Sequence, residues 1–203
     1  MQVRAGLALL TFLAAPAAAD DEWTLYELLA PDSHRFAITY DVSVTEPGAR
    51  VFLNPVRRGA TATDERVVLR RSGETLKFTV VTGAQARAEG RAEPDTAPDD
   101  RFIRVELPEP VPAGGETRLR ILKTYADAKS YFAEGDRVVF DRGLSIRRNV
   151  VVLPAGYELV GSSVPGIVGT GADGRVRVSF VNDRDDVLPV RITGRRLGAG
   201  AAR

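Results

Sequence analysis

Hydrophobic and polar residues alternate with a period of two over several short segments of the chain. In the clearest segment, apolar side chains recur at every second position from Phe36 to Val44, with polar or small residues between them. Successive side chains of a strand point to opposite faces of its sheet, so this pattern predicts a half-buried β-strand. The same alternation predicts further strands over 76–80, 103–107, 118–125, 175–180 and 190–192.

Three segments add detail to this pattern. In segment 118–125, one face carries Leu119, Ile121, Lys123 and Tyr125, while Arg118 and Arg120 point the other way. Segment 150–153 is apolar on both faces, which is typical of a central strand. Segment 23–29 fits either one helical turn or an edge strand, and we favour the strand.

Turn-forming residues separate these segments. Arg71–Glu74 predicts a hairpin, and the Asp-Gly pair within 172–174 tolerates the positive φ of a tight turn. No segment carries an apolar stripe of helical length. The sequence therefore predicts an all-β fold, an antiparallel β-sandwich over residues 20–197, followed by a disordered tail at 198–203. A stiff Pro-rich stretch at 108–115 also fits a boundary between two packed β lobes.

Residues 1–19 have the order of a secretory signal peptide. A positive charge at Arg4 precedes an apolar run over 5–14, and small residues follow at 17–19. Cleavage before Asp20 would deliver the chain to the periplasm or the exterior. The apolar run is too short to cross a hydrocarbon core of about 30 Å, and no later stretch approaches the roughly 18 apolar residues of a spanning helix. We therefore expect no membrane span.

The charge and the rare residues exclude several classes of function. The chain has 28 basic and 27 acidic residues, and this balance gives no support for a nucleic-acid groove. The absence of Cys excludes thiol catalysis and Cys-ligated metals. One His without Cys cannot build the usual zinc sites. We therefore predict no metal and no cofactor.

The single imidazole belongs to a group that resembles a hydrolase triad in residue type alone. Asp32, Ser33 and His34 are consecutive. Neighbouring side chains in an extended segment point to opposite faces, so these three residues cannot form a Ser–His–Asp relay. A polar turn before the first long strand is the better interpretation.

Carboxylates leave two alternatives open. Asp183 and Asp185 lie in an acidic segment and could share a calcium ion, which would make the chain a calcium-stabilised structural module. A solvated turn explains the same residues. A carboxylate-dependent polysaccharide hydrolase also remains open, because the separation of its two carboxyl groups is a three-dimensional quantity.

Arginines cluster around Gly143, between two apolar runs. Arg142, Arg147 and Arg148 could hold a phosphate, sulfate or carboxylate through bidentate contacts. Asp141 could instead neutralise the cluster within the fold. Binding residues gather in such loops at strand ends, so we predict these three arginines as the binding site.

Two resemblances accompany these features. Residues 107–115, a strand end followed by a Pro-Gly stretch, lead into the strand 117–121, and this order resembles the N-terminal β-domain of M1-type zinc metallopeptidases. The catalytic domain of those enzymes carries His-Glu-x-x-His, whereas this sequence has one His, so the resemblance implies only the accessory β-domain. The blocks 52–57 and 140–149 resemble an uncharacterised family of secreted bacterial β-sandwich proteins.

The sequence as a whole favours an exported binding or accessory module without catalytic activity. The signal pattern, the strand pattern and the lack of a catalytic motif lead to this interpretation. We expect its partner to be a protein or a polymer of the cell envelope, contacted through the arginine cluster or an unpaired sheet edge.

Overall fold

The alternating segments form β-strands in the computed structural model, which describes residues 22–198. The predicted signal at 1–19 and positions 199–203 of the predicted tail lie outside the described residues. The strands in chain order are β1 (Trp23–Leu28), β2 (Arg35–Val44), β3 (Val51–Val56), β4 (Thr61–Leu69), β5 (Thr75–Leu76), β6 (Phe78–Thr82), β7 (Arg101–Glu106), β8 (Thr117–Ala126), β9 (Tyr131–Glu134), β10 (Arg137–Leu144), β11 (Arg148–Val152), β12 (Tyr157–Ser162), β13 (Ile167–Thr170), β14 (Val176–Val181) and β15 (Leu188–Arg196). A 3₁₀ turn at Pro31–Ser33 and a short α-helix, α1, at Gly83–Ala88 complete the elements.

Hydrogen bonds join the strands into three sheets. The largest has eight strands in the order β13-β14-β11-β1-β2-β8-β4-β5. A four-stranded sheet has the order β12-β15-β10-β9, and a three-stranded sheet has the order β3-β7-β6. The described strand pairs are antiparallel except β1 with β11, which run parallel. The predicted all-β, antiparallel sandwich is confirmed.

The alternation fixes which side chains of β2 and β8 face the interior. Phe36 lies opposite Tyr125 in the register of the two strands. Ile38 lies opposite Lys123, and both are buried. The inward face of this strand pair is therefore apolar apart from one amine.

An aromatic cluster of Tyr26, Phe36, Tyr125 and Phe140 packs the eight-stranded sheet against the four-stranded sheet. The Phe36 ring meets the Phe140 ring edge to face, with centroids 5.5 Å apart. Tyr26 lies 5.5 Å from Phe140, and Tyr125 lies 6.0 Å from Phe36. Ile103 of the three-stranded sheet is fully buried in the same core. Such aromatic pairs add to the free energy gained from burying the area of the rings.

The Pro-rich stretch 108–115 leads from β7 in the three-stranded sheet to β8 in the eight-stranded sheet. The eight-stranded sheet contains strands from both sides of this stretch. Phe36 and Ile103 precede it, Phe140 and Ile192 follow it, and all four belong to one continuous core. Both halves of the chain thus contribute to the same interior.

Local predictions had mixed outcomes. The hairpin at Arg71–Glu74 and the turn with Gly174 at φ +76° are confirmed, and residues 150–152 of the predicted segment 150–153 lie in β11, an interior strand of the large sheet. Segment 23–29 forms a strand, but the prediction of an edge position is wrong, because β1 lies between β11 and β2.

Helix α1 was not predicted. It has one capping box, in which Thr82 and Gln85 exchange side-chain and backbone hydrogen bonds, and it is too short to show an apolar stripe. No helix within 22–198 is both long enough and apolar enough to cross a membrane.

The aromatic cluster predicts which single truncation damages the fold most. Replacing Phe140 with Ala leaves a cavity between two sheets, so we expect the free energy of unfolding to fall by about 3–5 kcal/mol. Urea denaturation checks this value. Ile167→Ala is the control, because Ile167 is 76% exposed and its truncation should change stability by less than about 0.5 kcal/mol. Equal losses in the two variants would contradict the proposed packing.

Candidate functional site

A cleft of about 450 Å³ opens where the three sheets meet. Its walls come from β1, β2 and β8 of the large sheet, β10 of the four-stranded sheet and β3 of the three-stranded sheet. Three cationic side chains, Arg57, Lys123 and Arg142, line it, and we call it the cationic cleft. The size falls in the range of small-ligand sites in proteins.

Lys123 lies at an inward position of β8, where the alternation predicts an apolar side chain. Leu119 and Ile121 on the same face are fully buried, and Lys123 is 6% exposed. Its Nζ donates a hydrogen bond to Oδ1 of Asn54 on β3, at 2.5 Å. Burial, assisted by the neighbouring Arg142 guanidinium, lowers the pKa of the Lys123 amine to about 8. The amine is therefore mostly charged at neutral pH, inside an apolar core.

Arg142 is the corresponding inward residue of β10. Val138, Phe140 and Leu144 on the same face are buried, and the Arg142 side chain is 9% exposed. Its guanidinium carbon lies 5.5 Å from the ring centroids of Phe36 and Tyr125 and 5.7 Å from that of Tyr26. Aromatic faces attract cations electrostatically, so the aromatic cluster stabilises this charge.

The guanidinium of Arg142 keeps donor capacity that the protein does not use. Its Nε and Nη1 are buried and make no hydrogen bond of ordinary geometry among the described residues, although the guanidinium lies close to the Tyr26 hydroxyl. Nη1 lies 3.5 Å from Oδ2 of Asp127, which makes an ion pair without a hydrogen bond. The buried hydroxyl oxygen of Thr24, which also lies close to the Tyr26 hydroxyl, likewise makes no hydrogen bond of ordinary geometry within 22–198. Leaving buried polar groups unpaired costs about 1–3 kcal/mol each, and such groups point to a ligand or to ordered water.

Asp127 is the carboxylate that forms ion pairs with Arg142 and Arg57. It accepts hydrogen bonds from the backbone N–H groups of Lys129 and Ser130 and from the Ser130 hydroxyl. Oδ2 of Asp127, which pairs with Arg142, also lies 3.9 Å from Nε of Arg57, whose side chain is half-exposed. One buried carboxylate therefore pairs with two cations, and Glu65 attracts Lys123 through space. Three cations against these two carboxylates leave the cleft with an excess of positive charge.

The tyrosines of the cleft add no negative charge. Burial raises the pKa of the Tyr26 hydroxyl, although the Arg142 guanidinium opposes this effect. Burial likewise raises the pKa of Tyr125, whose hydroxyl accepts a hydrogen bond from the backbone N–H of Arg57 at 3.2 Å. Both side chains are therefore neutral at neutral pH.

The rim of the cleft depends on a glycine and an asparagine. A Cβ atom at Gly143 would lie 2.4 Å from a methyl group of Val187, so any other residue there would displace the Val187 side chain in the loop before β15. The side chain of Asn182 donates hydrogen bonds to the carbonyl groups of Leu144 and Asp186, and these bonds hold that loop in place.

The structure separates the three arginines predicted as the binding site. Arg142 lines the cationic cleft, whereas Arg147 and Arg148 are exposed and do not line it. Nε of Arg148 lies 3.5 Å from the carbonyl oxygen of Glu22. Asp141 points to the opposite face of β10 and pairs with Arg191 rather than with Arg142. The binding role of the three arginines stays a prediction.

Sequence reasoning did not assign Lys123 to the site, although a signal was present. A lysine at an inward position of an apolar alternating set is rarely left in a core without a partner. The same pattern applies to Arg142 between Phe140 and Leu144. A search for charges on the inward faces of strands would have found both residues.

The other candidates have local roles. His34 follows the 3₁₀ turn in a left-handed conformation at φ +52°, with Nδ1 3.0 Å from the carbonyl oxygen of Tyr131. In the acidic segment, Asp186 makes a bidentate ion pair with Arg184. Across the part of the chain that the structure describes, no group of three or more His, Cys, Asp and Glu residues is arranged to hold a metal ion.

Comparison with known proteins gives a fold. No protein-family model and no curated protein matches the sequence. Among solved structures, an M1 zinc metallopeptidase from Deinococcus radiodurans matches 86% of this chain and 41% of its own, at 11% identity and a TM-score of 0.51. A two-domain M1 zinc metallopeptidase bound to L-tryptophan matches the same shares at 12% identity and a TM-score of 0.50.

The chain has the fold of the N-terminal domain of these peptidases. The predicted resemblance is thus confirmed at the level of fold. The chain spans about two fifths of the length of the solved structures that it matches.

The buried amine predicts an unusual pH dependence of stability. In the unfolded chain Lys123 has its ordinary pKa near 10.5, and in the folded chain its pKa is about 8. Between these values the unfolded chain binds more protons, so stability should rise with pH by at most about 1.4 kcal/mol per pH unit. Urea denaturation from about pH 7 to about pH 10 measures the slope.

Lys123→Met is the comparison that isolates this effect. The variant keeps the volume of the side chain and all other titrating groups, so its stability should lack the rise. A rise of equal size in the variant and in the natural sequence would show that another group titrates in this window.

Proposed function

We propose that this chain is a non-catalytic binding module whose ligand presents an anionic group to the cationic cleft. The observation that carries the proposal is the pair Lys123 and Arg142. Two cations face one cleft from inward positions of two different sheets. Asp127 pairs with Arg142, whereas Lys123 has no ion pair within the described residues and is attracted only through space by Glu65. An uncompensated buried charge costs several kcal/mol, and such sites are candidates for function.

The composition of the cleft supports binding rather than catalysis. Carboxylate-dependent hydrolysis needs two carboxyl groups on either side of one bond. The residues that line the cleft within 22–198 include no Asp, Glu or His. The fold of a peptidase N-terminal domain also suits an accessory module. The acidic segment gives no support to the alternative of a calcium-stabilised module, because Asp186 already forms an ion pair with Arg184.

The expected location suggests where the ligand occurs. The predicted signal peptide would deliver the chain to the periplasm or the exterior, so we propose that the anionic group belongs to an envelope protein or polymer. Recognition through a recessed cleft requires a group that projects from its carrier.

Thermal unfolding in the presence of anions tests the proposal. At constant ionic strength, acetate, benzoate, phosphate and sulfate are compared, and at least one should raise the melting temperature because ligands that bind only the folded state stabilise it. Arg142→Gln and Lys123→Met each remove one charge of the cleft, and both should abolish the increase.

Arg147→Gln and Arg148→Gln are the matched controls. Each removes one positive charge of the predicted arginine cluster outside the cleft, so both should retain the increase. Loss of the increase in these variants, but not in Arg142→Gln, would place the site on the surface loop. An unchanged melting temperature with all four anions would contradict the proposal.

A further inference from the structure

We infer that the anionic group is a single carboxylate attached to an apolar body about as large as one aromatic ring. This inference rests on the proposed function, because it specifies the chemistry of the ligand for the same cleft. Charge, hydrogen-bond donors and the apolar rim each contribute one step of the argument.

The net positive charge of the interior is the amount that one negative charge on a ligand would neutralise. Lys123 and Arg142 are buried cations, and the buried carboxylate of Asp127 pairs with Arg142. Glu65 on β4 attracts the Lys123 charge through space, but it is only half-buried and makes no ion pair with Lys123 among the described residues, so it does not neutralise this charge within the interior. Arg57 is 45% exposed, so water screens its charge. One positive charge remains in the interior, and one carboxylate neutralises it. A phosphate monoester would bring a second negative charge into a region where no buried cation compensates it.

The available donors suit a planar group with two oxygen atoms. The ammonium group of Lys123 has three donor hydrogens and gives one to Asn54. The Nε and Nη1 donors of Arg142 make no hydrogen bond of ordinary geometry within 22–198. Both side chains line the same cleft, and a carboxylate that reached the buried Nε or Nη1 of Arg142 with one oxygen could accept a hydrogen bond from Lys123 with the other.

The rim of the cleft is apolar. Pro55, Ile146 and Val187 line it together with the half-buried ring of Tyr40. Val187 is 49% exposed, so its side chain is accessible to a ligand in the cleft. The volume of about 450 Å³ far exceeds that of acetate or phosphate. An apolar body attached to the carboxylate would occupy part of this space and remove apolar surface from water.

Four probes separate the head group from the body. Hydrocinnamate has both features, acetate has the head group alone, hydrocinnamamide has the body without charge, and phenyl phosphate has an aromatic body with a dianionic head. Calorimetric titration of the purified full chain near neutral pH at constant ionic strength should give the tightest binding for hydrocinnamate. We expect each of the other three to bind at least about tenfold more weakly.

The outcomes distinguish this inference from the proposed function. Tighter binding of phenyl phosphate than of hydrocinnamate would overturn the carboxylate inference and leave anion binding intact. Equal binding of acetate and hydrocinnamate would overturn the apolar body. Failure of all three anions to bind would overturn both proposals.

A rim variant gives a second readout that does not disturb the buried charges. Val187→Ala should weaken hydrocinnamate binding and leave acetate binding unchanged, because only the apolar body contacts the rim. Val168→Ala is the matched control, since Val168 is 55% exposed on β13 and does not line the cleft. Equal effects of the two variants on hydrocinnamate would contradict the assigned position of the body.

A carboxylate beside an apolar group occurs both in free acids and at the C-terminus of a polypeptide. Acetyl-glycyl-phenylalanine with a free C-terminus, compared with its amide, separates the two sources. Tighter binding of the free peptide than of hydrocinnamate identifies a protein terminus as the source, and weaker binding identifies a free acid. Equal binding of the peptide and its amide would overturn the carboxylate inference.

Discussion

The contact between the aromatic cluster and the Arg142 guanidinium links the fold to the cleft. The cluster packs the eight-stranded sheet against the four-stranded sheet, and three of its rings lie within 5.7 Å of the guanidinium carbon. These rings gain free energy by leaving water and also supply the faces that stabilise a buried cation. The position of the charge is therefore as rigid as the core itself.

The cleft places charge where a purely structural core would be apolar. A methionine at Lys123 would fill a similar volume without a desolvation penalty, and burial of the amine lowers its pKa to about 8. The core accommodates this penalty by pairing the amine with Asn54 and by orienting Asp127 towards Arg142. Proteins commonly retain such unfavourable groups where they bind or react.

The similarity to M1 peptidases and the cleft are separate lines of argument. At 11% identity the similarity concerns the arrangement of strands, and one arrangement of strands can serve many functions. The proposed binding activity therefore depends on this chain's own residues at the junction of the three sheets. The proposal depends on Lys123 and Arg142 and does not depend on the function of the matched enzymes.

The sequence by itself determined the all-β class and the inward faces of its clearest strands. The period of two placed Lys123 with Leu119 and Ile121, since local sterics set this alternation in every strand. Sequence reasoning assigns Arg142 to a loop, whereas the structure places it in β10, on the face opposite to that of Asp141. Proximity in sequence grouped Arg142 with Arg147, which the fold does not place in the cleft.

Only the tertiary structure brought Lys123 of β8 and Arg142 of β10 to one cleft. It also placed β1 inside the large sheet, paired in parallel with the distant strand β11. The order of strands and the packing of one sheet on another depend on contacts between residues far apart in the chain. Local patterns of hydrophobicity do not indicate which distant strand becomes the neighbour of a given strand in the sheet.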